Sequence, residues 1–306
     1  MPDTAGRFAP SPSGDLHIGN LRTALLAWLF ARSTGRRFVM RVDDLDRVRP
    51  GAEARQLDDL REIGIDWDGE VTHQSQRLSL YDNAIAQLAT VGRTYECFCT
   101  RKEILQAASA PHAPQGAYPG TCRNLTDSQR DERRSSGRPP AIRLRSDTTE
   151  FTIADELHGD YTGLVDDLVL RRGDGTPAYN LAVVVDDAAQ GVDEVVRGDD
   201  LLSSSPRQAY LASLLGLPIP RYAHVPLALN SDGKRLAKRD GAVTLAELRG
   251  SGKSPAHVLT TIAHSLGVCD TTVATADDLL RCFDPSTLPR SPWIVEPNEF
   301  GDALIR

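Results

Sequence analysis

The sequence predicts an α/β protein: a doubly wound parallel sheet with a segment inserted into it. Three observations lead there. From Arg7 to Cys97, apolar runs alternate with amphipathic stretches in the order strand, helix, strand, helix, helix, strand, the opening rhythm of a parallel sheet with crossover helices. From about Cys97 to Arg172 the rhythm breaks into Pro- and Gly-rich sequence with clustered arginines. Beyond Pro177 it resumes, and after Leu245 it turns mostly helical.

Each element has a local reason. "GRFAPSPSG" opens as a strand and ends in a Pro/Gly turn. Leu21, Leu25, Leu26, Trp28 and Leu29 then recur at helical spacing up to a stop at Gly35. "RRFVMRVDDLD" reads as a buried strand running into acidic residues, "GAEARQLDDLREIGIDWD" as an amphipathic helix, and "QRLSLYDNAIAQLATVGR" as another, stopped at Gly92. "TYECFCT" reads as a strand, and "FTIADELHGDYTGLVDDLVLRR" as short antiparallel strands. "PAYNLAVVVDDAAQGVDEVVRGDD" is read as two strands, the second ending at Arg197, before a helix capped by Ser203 to Ser205.

At 306 residues the chain has room for two compact units. Its longest apolar run, Ala24 to Ala31, is bounded by Arg22 and Arg32 and is too short to cross a bilayer. The N-terminus lacks a signal-peptide pattern, so the cytoplasm is the expected compartment and no membrane partner is expected. A net charge of -7 argues against a dedicated double-helix binder. The charge is uneven, with Arg123, Arg130, Arg133, Arg134, Arg138, Arg143 and Arg145 in one short region; by pattern alone such a run is a solvated face.

Two features carry chemistry. "GDLHIGN" sits at a strand-to-helix junction, where free backbone N–H groups and the helix dipole attract phosphate. Small residues there let a ligand approach, and His17 and Asn20 stand one turn apart; the plain alternative is a turn with Asp15 capping the helix. "KRLAKRD", from Lys234 to Asp240, follows the last sheet strand in a Gly-flanked loop and is suited to clamp a triphosphate. Separately, Cys97, Cys99 and Cys122 make a thiol cluster dense enough for zinc, which takes four tetrahedral ligands. The fourth is open among His112, Tyr118, Asp127, His158 and water, with His112 favoured by softness. Cys269 and Cys282 read as packing residues, and an odd cysteine count argues against a disulfide framework.

The order of these motifs resembles a known family. "RFAPSPSGDLHIGNLRTAL" with "RLAKR", and between them "RVDDLDRVR" and "PAYNLAVVVDDAAQGVDEVVRGDDLLSSSPRQ", resemble the HIGH and KMSKS regions of class I aminoacyl-tRNA synthetases of the glutamyl branch. The length and the C-x-C with Y-x-x-x-C pattern are similar to the glutamyl-queuosine tRNA(Asp) synthetases. The resemblance implies a Rossmann-like fold in four parts: residues 1–96 and 173–228 as the halves of a nucleotide-binding domain, 97–172 as a zinc-bearing insertion, and 229–306 as the KMSKS-like loop with a helical stem-contact subdomain and no anticodon-binding domain.

It also implies an activity. Glutamate is activated with ATP and magnesium as glutamyl-adenylate, then transferred to the queuosine base of tRNA(Asp), by a monomer. The rivals are a truncated ligase charging a tRNA 3′ end and a non-catalytic tRNA-binding paralogue. Residue by residue, His17 and Lys238 become catalytic, and Gly19, Asn20, Arg235 and Arg239 join them on ATP. Arg7 and Arg197 take the glutamate side chain, Asp43 its amino group, and Ser11 and Tyr179 complete that pocket. Cys97, Cys99, Tyr118 and Cys122 become the zinc ligands. Three positions depart from the family pattern: Asn20 replaces a histidine, Asp43 replaces the usual glutamate, and Val183 stands where glutamyl-tRNA synthetases often carry asparagine.

Overall fold

The computed structural model describes residues 4–100, 102–104, 118–236, 243–268 and 273–295. In chain order its elements begin with β1 (Ala5–Phe8), α1 (Ile18–Ser33), β2 (Arg37–Val42), α2 (Ala52–Glu62), β3 (Thr72–His73), α3 (Leu78–Thr90) and β4 (Thr94–Cys97). Then come α4 (Asp127–Ser135), β5 (Ala141–Leu144), β6 (Glu150–Asp155), β7 (Gly159–Leu164), β8 (Val169–Arg171), α5 (Tyr179–Ala189) and β9 (Glu194–Gly198). The rest are α6 (Ser205–Leu215), β10 (Arg221–Val225), β11 (Ala228–Leu229), α7 (Leu245–Gly250), α8 (Pro255–Leu266), α9 (Ala276–Cys282) and β12 (Trp293–Ile294).

The sheet is the parallel one expected. β1 pairs with β2, Ala5 opposite Arg37, and β3 adds to the far side of β2. β9 and β10 pair in parallel with Arg197 opposite His224; β6 meets β10 in parallel, and β7 lies antiparallel on β6. The two halves join where Ala5 bridges Val192 and the Asp193 N–H donates to the Ala5 carbonyl at 3.0 Å. The strand order is therefore β7-β6-β10-β9-β1-β2-β3. The chain switches sides between β1 and β9, and sheets of this kind bind ligands at the carboxyl ends of strands flanking such a switch. β4, β5 and β8 form a separate antiparallel sheet.

α1 is buried nearly all round, from Ile18 to Ala31. The sheet covers one side. The other packs against the last helices, with Leu25 and Trp28 sharing one apolar cluster with Leu248, Ile262 and Leu279. Arg22 ties these parts together: buried, it donates through Nε to Ser265 Oγ at 3.1 Å and through its terminal nitrogen to the Pro226 carbonyl at 2.5 Å. Among the described residues, no helix is long and apolar enough to cross a membrane.

Three local expectations are overturned. The Val-rich run after Tyr179 is helix α5, not a strand. Val183, Val184 and Val185 favour extended backbone locally, but the segment is the crossover before β9 and buries Leu181 to Asp187 as a helix. Tertiary burial outweighs propensity there. The serines before α6 do not cap it either: Ser204 occupies the cap position without a side-chain bond. Cys282, read as a packing residue, is disulfide-bonded.

The seating of α1 on β1 rests on Gly6, where a Cβ would come within 2.8 Å of the Ala31 Cβ. Gly6→Ala should therefore lower stability by about 1–3 kcal/mol, read as an earlier midpoint in urea. An unchanged midpoint would show that the helix has room to move.

Candidate active site

A cavity of about 560 Å3 opens at the switch point, and the sequence-predicted residues converge on it from separate elements. Arg7 comes from β1, Ser11 and His17 from the turn after it, and Asp43 from the residue after β2. Tyr179 opens α5, Arg197 sits near the end of β9, and Arg235 follows β11; Gly19, Asn20 and Val183 also line the space. Lys238, Arg239 and His112 lie outside the described residues.

The turn is built by His17 rather than Asp15. His17 is the N-cap of α1: its Nδ1 accepts the Asn20 backbone N–H at 3.3 Å, and Asn20 Oδ1 accepts the His17 N–H at 3.2 Å. Asp15 instead pairs with Arg55 at 2.7 Å. With Nδ1 accepting, the proton of the neutral ring is on Nε2. Gly19 leaves room for this ring, since a Cβ there would lie 3.1 Å from it and 3.2 Å from the Ala228 Cβ. Gln56 holds the turn from below, donating to the Ser11 carbonyl at 3.1 Å and the Gly14 carbonyl at 2.5 Å.

The described residues on either side of 237–242 come to the same part of the molecule. Before it, Arg235 bridges Leu229, and its guanidinium pairs with Asp200 at 2.6 Å. After it, the Val243 carbonyl accepts the Ile18 N–H at 2.9 Å, and Thr244 bridges His17. Leu236 and Val243 are both buried in the cluster that contains α1. The residue pair after the basic loop thus stands on the first helix turn, and the pair before it stands on β11 and Asp200.

Across the cavity, cations and carboxylates interlock. Arg41, fully buried, donates through Nε to Asp43 Oδ1 at 2.8 Å and through NH1 to Asp187 Oδ1 at 2.6 Å. Asp187 also faces Arg7 Nε at 3.5 Å, and Arg7 NH1 donates to the Val196 carbonyl at 3.2 Å. Burial works against the Arg41 charge, yet Asp43, Asp187 and Asp186 outweigh it and hold the guanidinium above its ordinary value. For Asp43 burial wins over Arg41, and its carboxyl is raised above the usual range. Arg7 Nε, Arg41 NH2 and Arg197 NH1 are buried without a hydrogen-bond partner. Tyr179 remains 46% exposed at the cavity edge, placed to cover a ligand rather than packed in the core.

The thiols gather as the spacing suggested. The sulfurs of Cys97, Cys99 and Cys122 lie within 4.8 Å of one another. Tyr118 Oη is 3.3 Å from Cys97 Sγ and 3.6 Å from Cys99 Sγ, and it accepts the Cys122 N–H at 2.9 Å. His158 and Asp127, kept open from sequence, are not in the group: His158 contacts the His224 carbonyl, and Asp127 pairs with Arg130. Burial and the neighbouring thiols push Cys99 up to about 12, whereas Tyr118 and Arg143 bring Cys97 below its ordinary value despite burial.

Five of the seven clustered arginines are used inside their own segment. Arg143 is buried, lies 3.6 Å over the Tyr118 ring and donates to the Asp167 carbonyl. Arg123 pairs with Asp167, Arg145 donates to the Arg123 carbonyl, and Arg130 and Arg134 pair with Asp127 and Glu96. Arg133 and Arg138 are exposed. Sequence reasoning missed Arg41, Asp187 and Gln56. Only the adjacency of Arg41 to Asp43 in "RVDD" hinted at a role.

A helix N-terminus, a basic loop anchored on it and an arginine-lined hollow at one switch point define a nucleotide-dependent enzyme of the class I synthetase kind. The chain belongs to the family described as tRNA synthetases class I (E and Q), catalytic domain, matched over residues 4–300. It is 68% identical to the glutamyl-Q tRNA(Asp) synthetase of Nocardia farcinica, over 96% of this chain and 94% of that one. It is 52% identical to the protein of that name from Cutibacterium acnes, over 98% of this chain and 86% of that one. Its fold matches the crystal structure of a glutamate tRNA ligase from Elizabethkingia meningosepticum in complex with its amino acid, with a TM-score of 0.84 and 26% identity, covering 98% of this chain and 68% of that one.

The thiol cluster can be tested with cobalt(II), a spectroscopic stand-in for a tetrahedral metal. The chain should take up the ion with thiolate-to-metal absorption, and Cys99→Ser should weaken that band and the affinity by roughly 10–100-fold. An identical spectrum in the variant would remove Cys99 from the site.

Proposed function

We propose that this protein activates L-glutamate with ATP as glutamyl-adenylate and transfers the glutamyl group to the queuosine base in the anticodon of tRNA(Asp). The observation that carries the reading is one cavity with two chemistries. A capped helix start and the anchored ends of a basic loop form one wall, and buried guanidinium nitrogens without partners form another. The names of the relatives supply the acceptor.

Activation joins two anions. An oxygen of the glutamate α-carboxylate attacks the α-phosphorus, the bond to the bridging oxygen breaks, and pyrophosphate leaves with that electron pair. No covalent enzyme intermediate is needed, so catalysis is alignment plus stabilisation of charge on the phosphoryl oxygens. His17, protonated on Nε2 by its cap geometry, and the start of α1 serve the phosphates. Lys238 meets the transition state, with Arg235 and Arg239 beside it, and Gly19 and Asn20 shape the approach. Arg7 and Arg197 receive the side-chain carboxylate, Asp43 the ammonium group, and Ser11 and Tyr179 close the pocket.

Magnesium bound with the ATP supplies charge neutralisation on the phosphates. The cavity carboxylates Asp15, Asp43, Asp46 and Asp200 are engaged by Arg55, Arg41, Arg172 and Arg235, so the ion would be held mainly by the phosphates. The thiol cluster fits structural zinc. Tetrahedral zinc with sulfur ligands spaces them roughly 3.8 Å apart, close to the 3.5 Å between Cys99 and Cys122, and Tyr118 Oη offers the fourth donor. We assign it one zinc and place the protein in the cytoplasm as a monomer.

The decisive experiment is transfer of labelled glutamate to tRNA(Asp) with and without queuosine. Label should appear only on the modified tRNA(Asp); label on tRNA(Glu) instead would make this a 3′-end ligase. Glutamate-dependent ATP–pyrophosphate exchange should proceed without tRNA, and Lys238→Ala should slow it by about 100-fold or more.

Asp43 gives a pH prediction. Its raised pKa means that it takes up a proton as pH falls through a value above that of a free aspartate, and the contact to the glutamate ammonium is then lost. The glutamate KM should rise on that acid side, and Asp43→Asn should flatten the limb while weakening glutamate about tenfold throughout. An acid limb unchanged in the variant would assign the amino group elsewhere.

A further inference from the structure

Arg197 and His224 are register partners on adjacent parallel strands, β9 and β10. Their side chains meet: Arg197 Nε donates to His224 Nε2 at 3.1 Å, deep in the molecule. An arginine has only donors, so His224 Nε2 must accept, and the ring proton must sit on Nδ1. Nδ1 faces Asp155 Oδ2 at 2.5 Å, and both side chains are fully buried. Asp155, at the end of β6, cannot turn away. Its Oδ1 accepts the Leu157 and His158 N–H groups at 3.0 Å each, and its Oδ2 also accepts the His224 N–H at 3.1 Å.

The rest of the guanidinium is equally committed. Arg197 NH2 donates to Ser205 Oγ at 2.7 Å and to Gln208 Oε1 at 2.8 Å. Ser205 thus serves the arginine rather than capping α6. Gln208 is fixed in turn through Asn180 at 2.9 Å. One nitrogen is left over: NH1 is buried without a partner, on a residue that lines the cavity.

We infer that His224, held in a single tautomer by Asp155, is the residue that positions Arg197, so that NH1 alone is presented to the glutamate side-chain carboxylate. The inference rests on the glutamate reading above and adds residues outside both signature motifs. The logic is that of a buried acceptor matched to a donor-only group. Without the His224 nitrogen, Arg197 Nε would be a buried unsatisfied donor, and the guanidinium would turn to satisfy it. Tyr222, whose ring stacks on His224 with centroids 5.7 Å apart, limits the ring's own rotation. The His158 ring meets the His224 carbonyl, at 3.1 Å, and so leaves the His224 imidazole to Asp155, Arg197 and Ser205.

Two substitutions in the full-length chain separate this role from simple packing. In His224→Asn the amide reaches the Nδ1 position and keeps Asp155, but it offers nothing to Arg197 Nε. In His224→Gln the carbonyl reaches the Nε2 position and accepts from Arg197. With tRNA-independent ATP–pyrophosphate exchange as the readout, His224→Asn should raise the glutamate KM about tenfold or more with the ATP KM unchanged. His224→Gln should recover most of that loss. Equal glutamate KM values for wild type and a folded His224→Asn would overturn the inference, as would matching rises in the glutamate and ATP KM values. If His224→Asn does not fold, His224→Gln and Asp155→Asn decide: the inference requires a near-normal glutamate KM in the first and a raised one in the second. A wild-type protein without exchange would overturn the glutamate reading itself and this inference with it; normal exchange with an indifferent position 224 would overturn this inference alone.

Discussion

The interaction on which the site depends is the buried contact of Arg41 with Asp43 and Asp187. It ties the end of β2 to α5 beneath the cavity, and Asp187 extends it to Arg7 on β1. A buried ion cluster contributes little to net stability compared with apolar packing, but removing one member leaves an uncompensated charge. What such a cluster provides is geometry. Because Arg41 and Asp187 answer each other, Arg7 and Asp43 are held at fixed points without being fully neutralised by protein partners. Under the glutamate reading proposed above, this arrangement preorganises the pocket for a zwitterion carrying an extra carboxylate. The same logic runs along β9 and β10, where all but one nitrogen of Arg197 is engaged by protein.

The phosphate wall obeys a different constraint. Free N–H groups at a helix start attract anions only if nothing else satisfies them, yet a start without a cap frays. His17 resolves this by capping with Nδ1 while its protonated Nε2 stays on the other side of the ring. Asn20 returns the bond to the His17 backbone. That contact needs an acceptor on a short side chain, which explains how asparagine serves at the position where the family pattern has histidine. The Ile18 N–H is given to Val243, so one donor of the helix start anchors the basic loop instead of binding phosphate. The turn that caps α1 therefore also holds the chain where it leaves 237–242.

Much of this was legible in the sequence because the signals were local. The periodicity of α1, the Pro/Gly turn before it and the C-x-C pair each state their structure within a few residues. The convergence of Arg7, Asp43, Tyr179 and Arg197 was legible only through resemblance, since they come from four elements. What stayed hidden was tertiary. Val183 to Val185 favour a strand by themselves, and only the burial of the segment that leads back into the parallel sheet at β9 makes them helix. Ser205 resembles a cap until Arg197 is found beside it. His224 and Asp155 lie in strands whose pairing no local pattern reveals.

The arginine cluster shows the same limit and points to what the cysteines do. The sheet of β4, β5 and β8 has a core of its own containing Tyr95, Cys97, Phe98, Tyr118 and Cys122. Leu144 of β5 and Leu170 of β8 are buried instead in the larger cluster shared with α3, α5 and α6, so the small cluster lies at the cysteine end of the sheet. Cys97, Cys99 and Cys122 are free thiols there and form the group that could hold a metal. Under the zinc reading proposed above, three thiolates with one divalent cation would leave a negative charge in a buried place, and Arg143, stacked on Tyr118, is the cation positioned to offset it. Arg123 and Arg145 then tie the same segment to Asp167 and to the backbone around it. A run of arginines that reads as a solvated face is, for the most part, the internal bracing of the segment that carries it.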